Sequence, residues 1–292
     1  MRTAMSVILL ISILFGNDVT VFAKNESIGT QIEMLPWEKV NGILPKFSEF
    51  TVLDVETGKT FEVQRRAGRR HADVQPLTSR DTKVMKEIYG GKWSWKRRAI
   101  IVIHQGRWIA ASMHGMPHGA GAIDNNFPGH FCIHFYGSKT HRTNYMDLSH
   151  KLMILKAAGN LDDYIAKANP YELIGAYVAG FKQQDETILS AISLQAIDWK
   201  EFMYLVDNMK LNNMSVLPLE YIVNETTLEV QVDIEWINQY SEKRFIKGNV
   251  HLSRFTSFDA WKIDSIRFLE DSRIEKERKG NEDKEDVLIR GY

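Results

Sequence analysis

The hydrophobic and polar positions in the first half of the chain alternate in short runs that predict β-strands. Residues 50–64 are the clearest case, because two runs rich in β-branched and aromatic residues flank a Glu-Thr-Gly-Lys turn. That pattern is typical of a β-hairpin. Helices are predicted where apolar residues recur at helical spacing. The other elements predicted in this half are helices over 78–89 and 147–158, strands over 99–104, 107–113 and 131–136, and a loop over 115–129.

The second half changes from a helical pattern to a strand pattern. It begins at Asn169-Pro170, since Asn is a favoured helix N-cap and Pro is favoured in the first helical position. Apolar residues then follow the stripe of an amphipathic helix as far as Phe181. From Leu228 to Trp236 apolar and polar residues alternate, which predicts a long strand with one buried face. The shorter elements predicted here are a helix at Trp199 and Phe202 and strands over 248–255 and 260–268.

These patterns predict an α+β protein of two domains. A β-rich N-terminal domain occupies residues 50–160, after a lead-in at 24–49. A domain of helices followed by an antiparallel sheet occupies residues 169–271. Residues 272–292 are dominated by charge and are predicted to be disordered. With 292 residues, 44% of them hydrophobic, the chain is long enough to fill two cores.

The N-terminus has the features of an export signal over residues 1–23. Arg2 provides positive charge, residues 7–15 form an apolar run of signal-peptide length, and Val21-Phe22-Ala23 fits a cleavage site. An uncleaved N-terminal anchor is the alternative. After residue 23 no segment is apolar enough to predict a transmembrane helix. The sequence therefore predicts a secreted or cell-wall-associated protein.

Charge differs in sign between the two halves. Residues 24–168 contain 21 basic and 14 acidic residues, whereas residues 169–292 contain 15 basic and 22 acidic residues. The basic half fits an anionic partner such as a cell-wall polymer, and a solvated basic face explains the same excess. No feature indicates nucleic-acid binding, and none indicates the oligomeric state.

Candidate chemistry is concentrated between Ser112 and His141. This stretch contains the only cysteine, Cys132, and five of the nine histidines. Residues two apart on a strand point to the same side, so His130, Cys132 and His134 are expected to share one face. A thiol becomes a strong nucleophile beside a base or a positive charge. Glycines in the preceding loop let backbone N–H groups approach a substrate carbonyl. The pattern therefore predicts a thiol–histidine site.

The same residues resemble the motif of the L,D-transpeptidases of bacterial cell walls, which have the YkuD-like fold. His114-Gly115 occupies the place of the family's His-Gly pair, and residues 129–134 occupy the place of its Ser/Thr-His-Gly-Cys block. Three positions differ from the family's Ser/Thr, Gly and Arg/Asn: Gly129, Phe131 and His134. Residues 50–158 are therefore similar to a divergent member of that family.

The resemblance implies a cysteine-dependent acyl transferase or amidase-like enzyme that acts on the stem peptide of peptidoglycan. Cys132 would attack the amide carbonyl, and His130 would take the thiol proton and return one to the leaving amine. His114 would orient the site or line the oxyanion pocket. No cofactor is implied. The residues that would contact the substrate are Gly115, His118, Gly129 and His134, and the secondary candidates for an orienting pair are His71 and Asp73.

Two other interpretations fit the same residues. The protein is a non-catalytic cell-wall or surface binding protein if Cys132 is a buried core residue in a degenerate site. It is a metal-binding protein if the histidines and the cysteine ligate zinc or copper. No Cys-x2-Cys or His-Glu-x2-His pattern supports the metal interpretation. The donors available to a metal are His114, His118, His130, Cys132 and His134.

Two further features have less specific signals. Residues 169–271 resemble the NTF2-like superfamily of cone-shaped α+β domains by the order of their elements, which implies an accessory domain. In the first half, Trp93-Ser94-Trp95 precedes Arg97-Arg98. This pattern is typical either of a sugar-stacking platform with anion contacts or of aromatic residues that pack on their own domain.

Overall fold

The strands of the first half close into a β-barrel. The structure, a computed structural model, describes residues 31–139 and 145–278; the predicted export signal and His141 lie outside these ranges. The barrel strands are β2 (Glu49–Asp54), β3 (Thr60–Ala67), β4 (Ala72–Pro76), β5 (Arg97–His104), β6 (Arg107–His114) and β7 (Phe131–His134). They pair in the order β6-β5-β2-β3-β4-β7, and β7 also pairs with β6. A short strand, β1 (Ile32–Glu33), adds to β6 in parallel.

The alternation of side chains explains the barrel interior. Each of the six barrel strands contributes alternate apolar residues to one hydrophobic cluster. Because successive side chains of a strand point to opposite faces, this cluster fills the barrel. On β7, Phe131 and Ile133 belong to it, so Cys132 and His134 face outward. The antiparallel β2–β3 pair confirms the predicted hairpin.

Two helices pack into the barrel's hydrophobic cluster. They are α1 (Trp37–Ile43), which was not predicted, and α2 (Ser79–Ile88), which was. A capping box begins α2: the side chain of Thr78 accepts from the N–H of Asp81, and the Asp81 carboxylate accepts from the N–H of Thr78. Met85 and Ile88 on this helix are buried in the cluster.

A group of helices joins the barrel to the second half of the chain. The group consists of α3 (Leu148–Ala157), α4 (Leu161–Lys167), α5 (Pro170–Gln183), α6 (Glu186–Ile192) and α7 (Lys200–Met203). Helix α3 contacts β5, β6 and α5. The predicted start of α5 is confirmed, because Asn169 and Glu172 form a capping box and Pro170 is the first helical residue.

The second half contains a four-stranded antiparallel sheet. Its strands are β8 (Val206–Met214), β9 (Thr227–Asn238), β10 (Lys243–Ser253) and β11 (Lys262–Ile263), in the order β11-β10-β9-β8. The predicted alternating strand is confirmed as β9. The strand predicted over 260–268 is wrong beyond β11, since α8 (Ser265–Asp271) follows it with Asp264 as N-cap. A 3-10 turn spans Leu219–Tyr221.

The prediction of an α+β protein is confirmed by these helices and sheets. The described residues from Ile32 onward make one compact unit. A second hydrophobic cluster runs from Ala99 and Ala110, on the outer face of the barrel, into the helices and the four-stranded sheet. This second cluster therefore contains residues from both predicted domains, while the barrel interior has a cluster of its own.

The segment predicted to be a disordered tail begins with ordered residues. Residues 274–278 are helical, and Ile274 is fully buried in the second cluster. Ion pairs from Glu277 to Arg244 and from Arg278 to Glu201 hold the same segment against the sheet and the helices. The rest of the predicted tail, residues 279–292, lies outside the described residues. Among the helices that the structure describes, none combines the length and hydropathy needed to cross a bilayer.

Candidate thiol–histidine site

Three neighbouring strands present polar side chains on the outer face of the barrel. The register places Asp73 of β4 opposite Cys132 of β7, and Ser112 of β6 opposite His134 of β7. Residues directly opposite in an antiparallel pair project from the same face, so these four side chains lie together. His114, the last residue of β6, extends the row.

Cys132 lies at the centre of this face. Its Sγ is 3.4 Å from Nε2 of His118 and 3.7 Å from Oδ1 of Asp73. The cysteine is not in a disulfide and is only 3% exposed. Burial raises the pKa of the thiol, and the Asp73 carboxylate raises it further because a second negative charge beside it is unfavourable. Cys132 is therefore a neutral thiol at rest, with an imidazole in contact.

The loop at 115–130 holds His118 against the thiol. Nδ1 of His118 is 3.1 Å from the backbone oxygen of Met116. A carbonyl only accepts, so Nδ1 carries a hydrogen, and in the neutral form of the ring the lone pair of Nε2 is then available to Sγ. Two backbone hydrogen bonds of 2.9 Å join His118 to His130. Gly129 permits this approach, because its φ is +122° and a Cβ there would lie 2.5 Å from the His118 oxygen.

A second imidazole lies on the far side of Asp73. Nε2 of His71 is 3.1 Å from Oδ1 of Asp73, and Nδ1 of His71 is 3.0 Å from the backbone oxygen of Lys139. The Lys139 carbonyl can only accept, so Nδ1 of His71 carries a hydrogen. The carboxylate also accepts, so a hydrogen bond between Nε2 and Asp73 requires a second proton between those two atoms. The same Asp73 oxygen therefore bridges His71 and Cys132.

Three buried imidazoles stack beside the thiol. His71 stacks on His134 with ring centroids 4.4 Å apart, and His134 stacks on His150 at 3.8 Å. His150 comes from α3, and its Nδ1 is 2.9 Å from Oγ of Ser112. Burial lowers the pKa of His150 well below the usual range, and the nearby His134 lowers it further. His150 is therefore neutral at pH 7.

His114 lies between the thiol site and a tryptophan at the surface. Its ring centroid is 5.2 Å from that of His118 and 4.7 Å from that of Trp95, whose side chain is half exposed. Burial lowers the pKa of His114, as does the proximity of His118. Among the described residues, Nδ1 of His114 has no hydrogen-bond partner although it is buried. The site therefore has a buried polar atom whose hydrogen-bonding capacity is not used by the described residues.

The cluster also contains groups that suit a metal ion. Cys132 belongs to three sets of three residues, and within each set the ligand atoms lie within 4.8 Å of one another. Thiolate and imidazole are the ligands that zinc prefers in proteins. The three sets are His71, Cys132 and His134; His114, His118 and Cys132; and Asp73, His130 and Cys132.

The structure brings the predicted side chains together but changes some of their roles. His118, predicted only to contact substrate, makes the direct contact with Sγ, whereas Nδ1 of His130 is 3.1 Å from the Ala120 oxygen. The N–H groups of Gly115 and Gly129 donate to backbone oxygens at 2.9 Å, so neither points at a substrate here. The predicted residues found in the cluster are Cys132, His114, His118, His130, His134, His71 and Asp73.

Two members of the cluster were not predicted. Ser112 lies two residues before His114 on a strand, so the alternation rule was an available signal for it. His150 has no such signal, because it reaches the cluster from a helix through tertiary packing.

Comparison of this chain with known proteins found no matching family model, no matching curated protein and no matching solved structure. The resemblances to L,D-transpeptidases and to NTF2-like domains therefore rest on the residues and elements described above, and both stay predictions.

Proposed function

We propose that this protein is an exported cysteine-dependent acyl transferase or amidase-like enzyme that acts on the stem peptide of peptidoglycan. The observation that carries the proposal is the 3.4 Å contact between Sγ of Cys132 and Nε2 of His118. A thiol beside an imidazole whose other nitrogen is fixed by a carbonyl is suited to nucleophilic catalysis. The peptide substrate and the cell-wall location come from the resemblance of residues 114–134 to the L,D-transpeptidase motif and from the predicted export signal.

In the proposed reaction His118 carries the proton. Sγ of Cys132 attacks the amide carbonyl carbon and forms a C–S bond, while Nε2 of His118 accepts the thiol proton. Collapse of the tetrahedral intermediate breaks the C–N bond, and His118 gives its proton to the leaving amine. A second amine or water then attacks the thioester and loses a proton to His118. That proton returns to the Cys132 thiolate as the C–S bond breaks.

The electrostatics of the site favour proton transfer during attack over a preformed thiolate. Burial and Asp73 keep the thiol of Cys132 protonated, so the proton leaves only as the C–S bond forms. The negative charge of Asp73 also stabilises a positive charge on the nearby imidazole. Trp95, which packs against His118, is half exposed, so the proposed route of the substrate to Cys132 passes this side chain.

A second candidate function is metal binding, and it is favoured by the three sets of ligand atoms that share Cys132. Zinc bound by the Cys132 thiolate with two of the imidazoles would satisfy the buried Nδ1 of His114. Such an ion would occupy the sulfur lone pairs and prevent nucleophilic attack. The two candidates therefore exclude each other in any one molecule.

Intact mass spectrometry of the mature protein, alone and after incubation with disaccharide-tetrapeptide fragments, tests both candidates. An acyl adduct that is absent in Cys132→Ser supports the enzyme. Thermal unfolding of the variant serves as the control for folding. A protein that forms no adduct but retains zinc or copper under native conditions, and loses it in Cys132→Ser, is a metal protein. If neither adduct nor metal is found, the enzyme proposal fails and the non-catalytic binding protein is the remaining interpretation.

A further inference from the structure

A groove of about 390 Å³ lies beside the thiol site. Among the described residues that line it, three are cationic and one is acidic. The cationic residues are Lys96, Arg97 and Lys182, and the acidic residue is Asp207. A concave site with an excess of one sign of charge concentrates ligands of the opposite sign. The lining therefore favours an anionic group.

Arg97 connects the groove to the thiol site. It is paired with His114 across β5 and β6, and its positive charge acts electrostatically on both His114 and Cys132. Nη1 of Arg97 donates to the Trp95 backbone oxygen at 2.7 Å, and Nη2 is 3.7 Å from Asp147. Its Nε–H is buried and has no acceptor in the described part of the chain. A buried guanidinium donor without an acceptor costs free energy, and a carboxylate supplies the acceptor.

The two lysines add positive charge that no carboxylate contacts directly. In the ranges that the structure describes, neither the Lys96 nor the Lys182 ammonium forms a hydrogen bond or an ion pair. Burial lowers the pKa of both lysines, and only the more distant Asp207 and Asp147 oppose that effect. A partly buried ammonium is stabilised by a negatively charged ligand.

Trp95 forms the boundary between the groove and the thiol site. Its ring centroid is 4.7 Å from that of His114 and 5.5 Å from that of His118. The same side chain lines the groove and is 50% exposed. Trp95 therefore lies next to both Arg97 in the groove and the imidazole that contacts Cys132.

We propose that this groove binds a carboxylate of the acyl-donor peptide, with Arg97 as its direct partner and with Lys96 and Lys182 as additional positive charge. The inference rests on the proposed function for the identity of the peptide. It adds a specificity determinant: the enzyme selects substrates by a negative charge next to the reacting amide.

Isothermal titration of the Cys132→Ala protein with two probes tests the groove without turnover. The probes are a disaccharide-tetrapeptide and the same compound with its carboxylates converted to carboxamides. The carboxylate form is expected to bind roughly 10- to 100-fold more tightly, which is the range for a hydrogen bond to a charged group. Adding Arg97→Gln should remove that preference, and Arg97→Lys should restore part of it. Arg80→Gln, an exposed arginine elsewhere in this half, is the matched control.

Equal affinity for the two probes, binding of neither probe, or a preference that survives Arg97→Gln would overturn the inference. If Arg97→Gln does not fold, the double variant Lys96→Gln/Lys182→Gln provides the test. Because it removes two positive charges from the groove, it should weaken the preference for the carboxylate probe over the carboxamide probe. The acyl adduct at Cys132 is measured separately in protein with its native thiol. If the adduct forms but no Arg97-dependent preference is found, the groove proposal fails and the proposed function is retained. If the preference is found but no adduct forms, the proposed function fails and only carboxylate binding in the groove is retained.

Discussion

Nε2 of His118 lies 3.4 Å from Sγ of Cys132, and the opposite nitrogen of the same ring is held by the Met116 carbonyl. On the other side of the sulfur, Asp73 lies 3.7 Å away and contacts His71. The sulfur thus has two different neighbours: a base whose tautomer is fixed, and a carboxylate that opposes ionisation of the thiol. Substituting either neighbour alone should therefore change a different property of Cys132.

His118→Gln should slow formation of the acyl adduct far more than His130→Gln. Glutamine keeps hydrogen-bonding capacity at position 118 but cannot accept the thiol proton, so the loss is expected to be roughly 10²–10⁴-fold. His130 makes no direct contact with Sγ in the structure and instead faces the Ala120 oxygen. Adduct formation followed by intact mass over time measures both rates. A larger loss for His130→Gln would transfer the role of base to that residue.

Asp73→Asn should make Cys132 more reactive toward an alkylating reagent such as iodoacetamide at pH 8. The carboxylate raises the pKa of the thiol, so removing its charge lowers that pKa and increases the thiolate fraction. Each unit by which the pKa falls increases the alkylation rate roughly tenfold while the thiol remains mostly protonated.

Asp124→Asn is the matched control for this prediction, because Asp124 is an exposed carboxylate in the loop at 115–130. Its substitution should leave the alkylation rate unchanged. Slower alkylation of Asp73→Asn than of the native protein would show that Asp73 activates the thiol instead of opposing its ionisation. Thermal unfolding of both variants checks that the site has kept its structure.

The strands could be predicted where the alternation is regular, and β8 was missed because its alternation is not. The hairpin at 50–64 and β9 have clear alternation with β-branched residues. Strand β8 contains Asp, Lys and three Asn residues among nine positions, which lowers its β-propensity. Its pairing with β9 and its packing against α5 determine its conformation. Tertiary contacts therefore override local propensity at this strand.

The composition of the site could be predicted from one stretch of sequence, but its geometry could not. The two-residue period correctly placed Cys132 and His134 on one face of β7. No local rule relates that strand to His71, immediately before β4, or to His150 on α3, which are distant in sequence. The contact made by His118 depends on the loop conformation that Gly129 permits. Predicting a loop at these residues does not predict its backbone conformation, so the contact could not be predicted.

The stability of the protein should fall as the pH decreases below about 6.5. The pKa values of His114 and His150 are lowered in the folded state from their ordinary value of about 6.5, so below that pH the unfolded chain binds more protons. Each such histidine removes roughly 1.4 kcal/mol of stability per pH unit until its folded-state pKa is reached.

Denaturant unfolding at several pH values between 7.5 and 5, with a chelator present, measures this slope. His150→Gln removes one of the two groups, so its stability should depend less steeply on pH than that of the native protein. The stability of His150→Gln at neutral pH is expected to be lower, since the contact with Ser112 changes. An unchanged slope would mean that His150 is not buried in its neutral form.

Gly129→Ala should damage both the fold and the site, whereas Gly137→Ala should damage only the fold. Both glycines have positive φ, +122° and +73°, but a Cβ at Gly137 meets open space while one at Gly129 lies 2.5 Å from the His118 backbone oxygen. Positive φ alone costs an alanine about 1–2 kcal/mol, which is the loss expected for Gly137→Ala. The added clash with backbone raises the expected loss for Gly129→Ala to about 2–4 kcal/mol.

Because that clash pushes His118 away from Cys132, the adduct should also form more slowly in Gly129→Ala. The rate is measured at a temperature well below the midpoint of thermal unfolding of this variant. Equal adduct rates in the two variants would show that the position of His118 does not depend on the Gly129 turn.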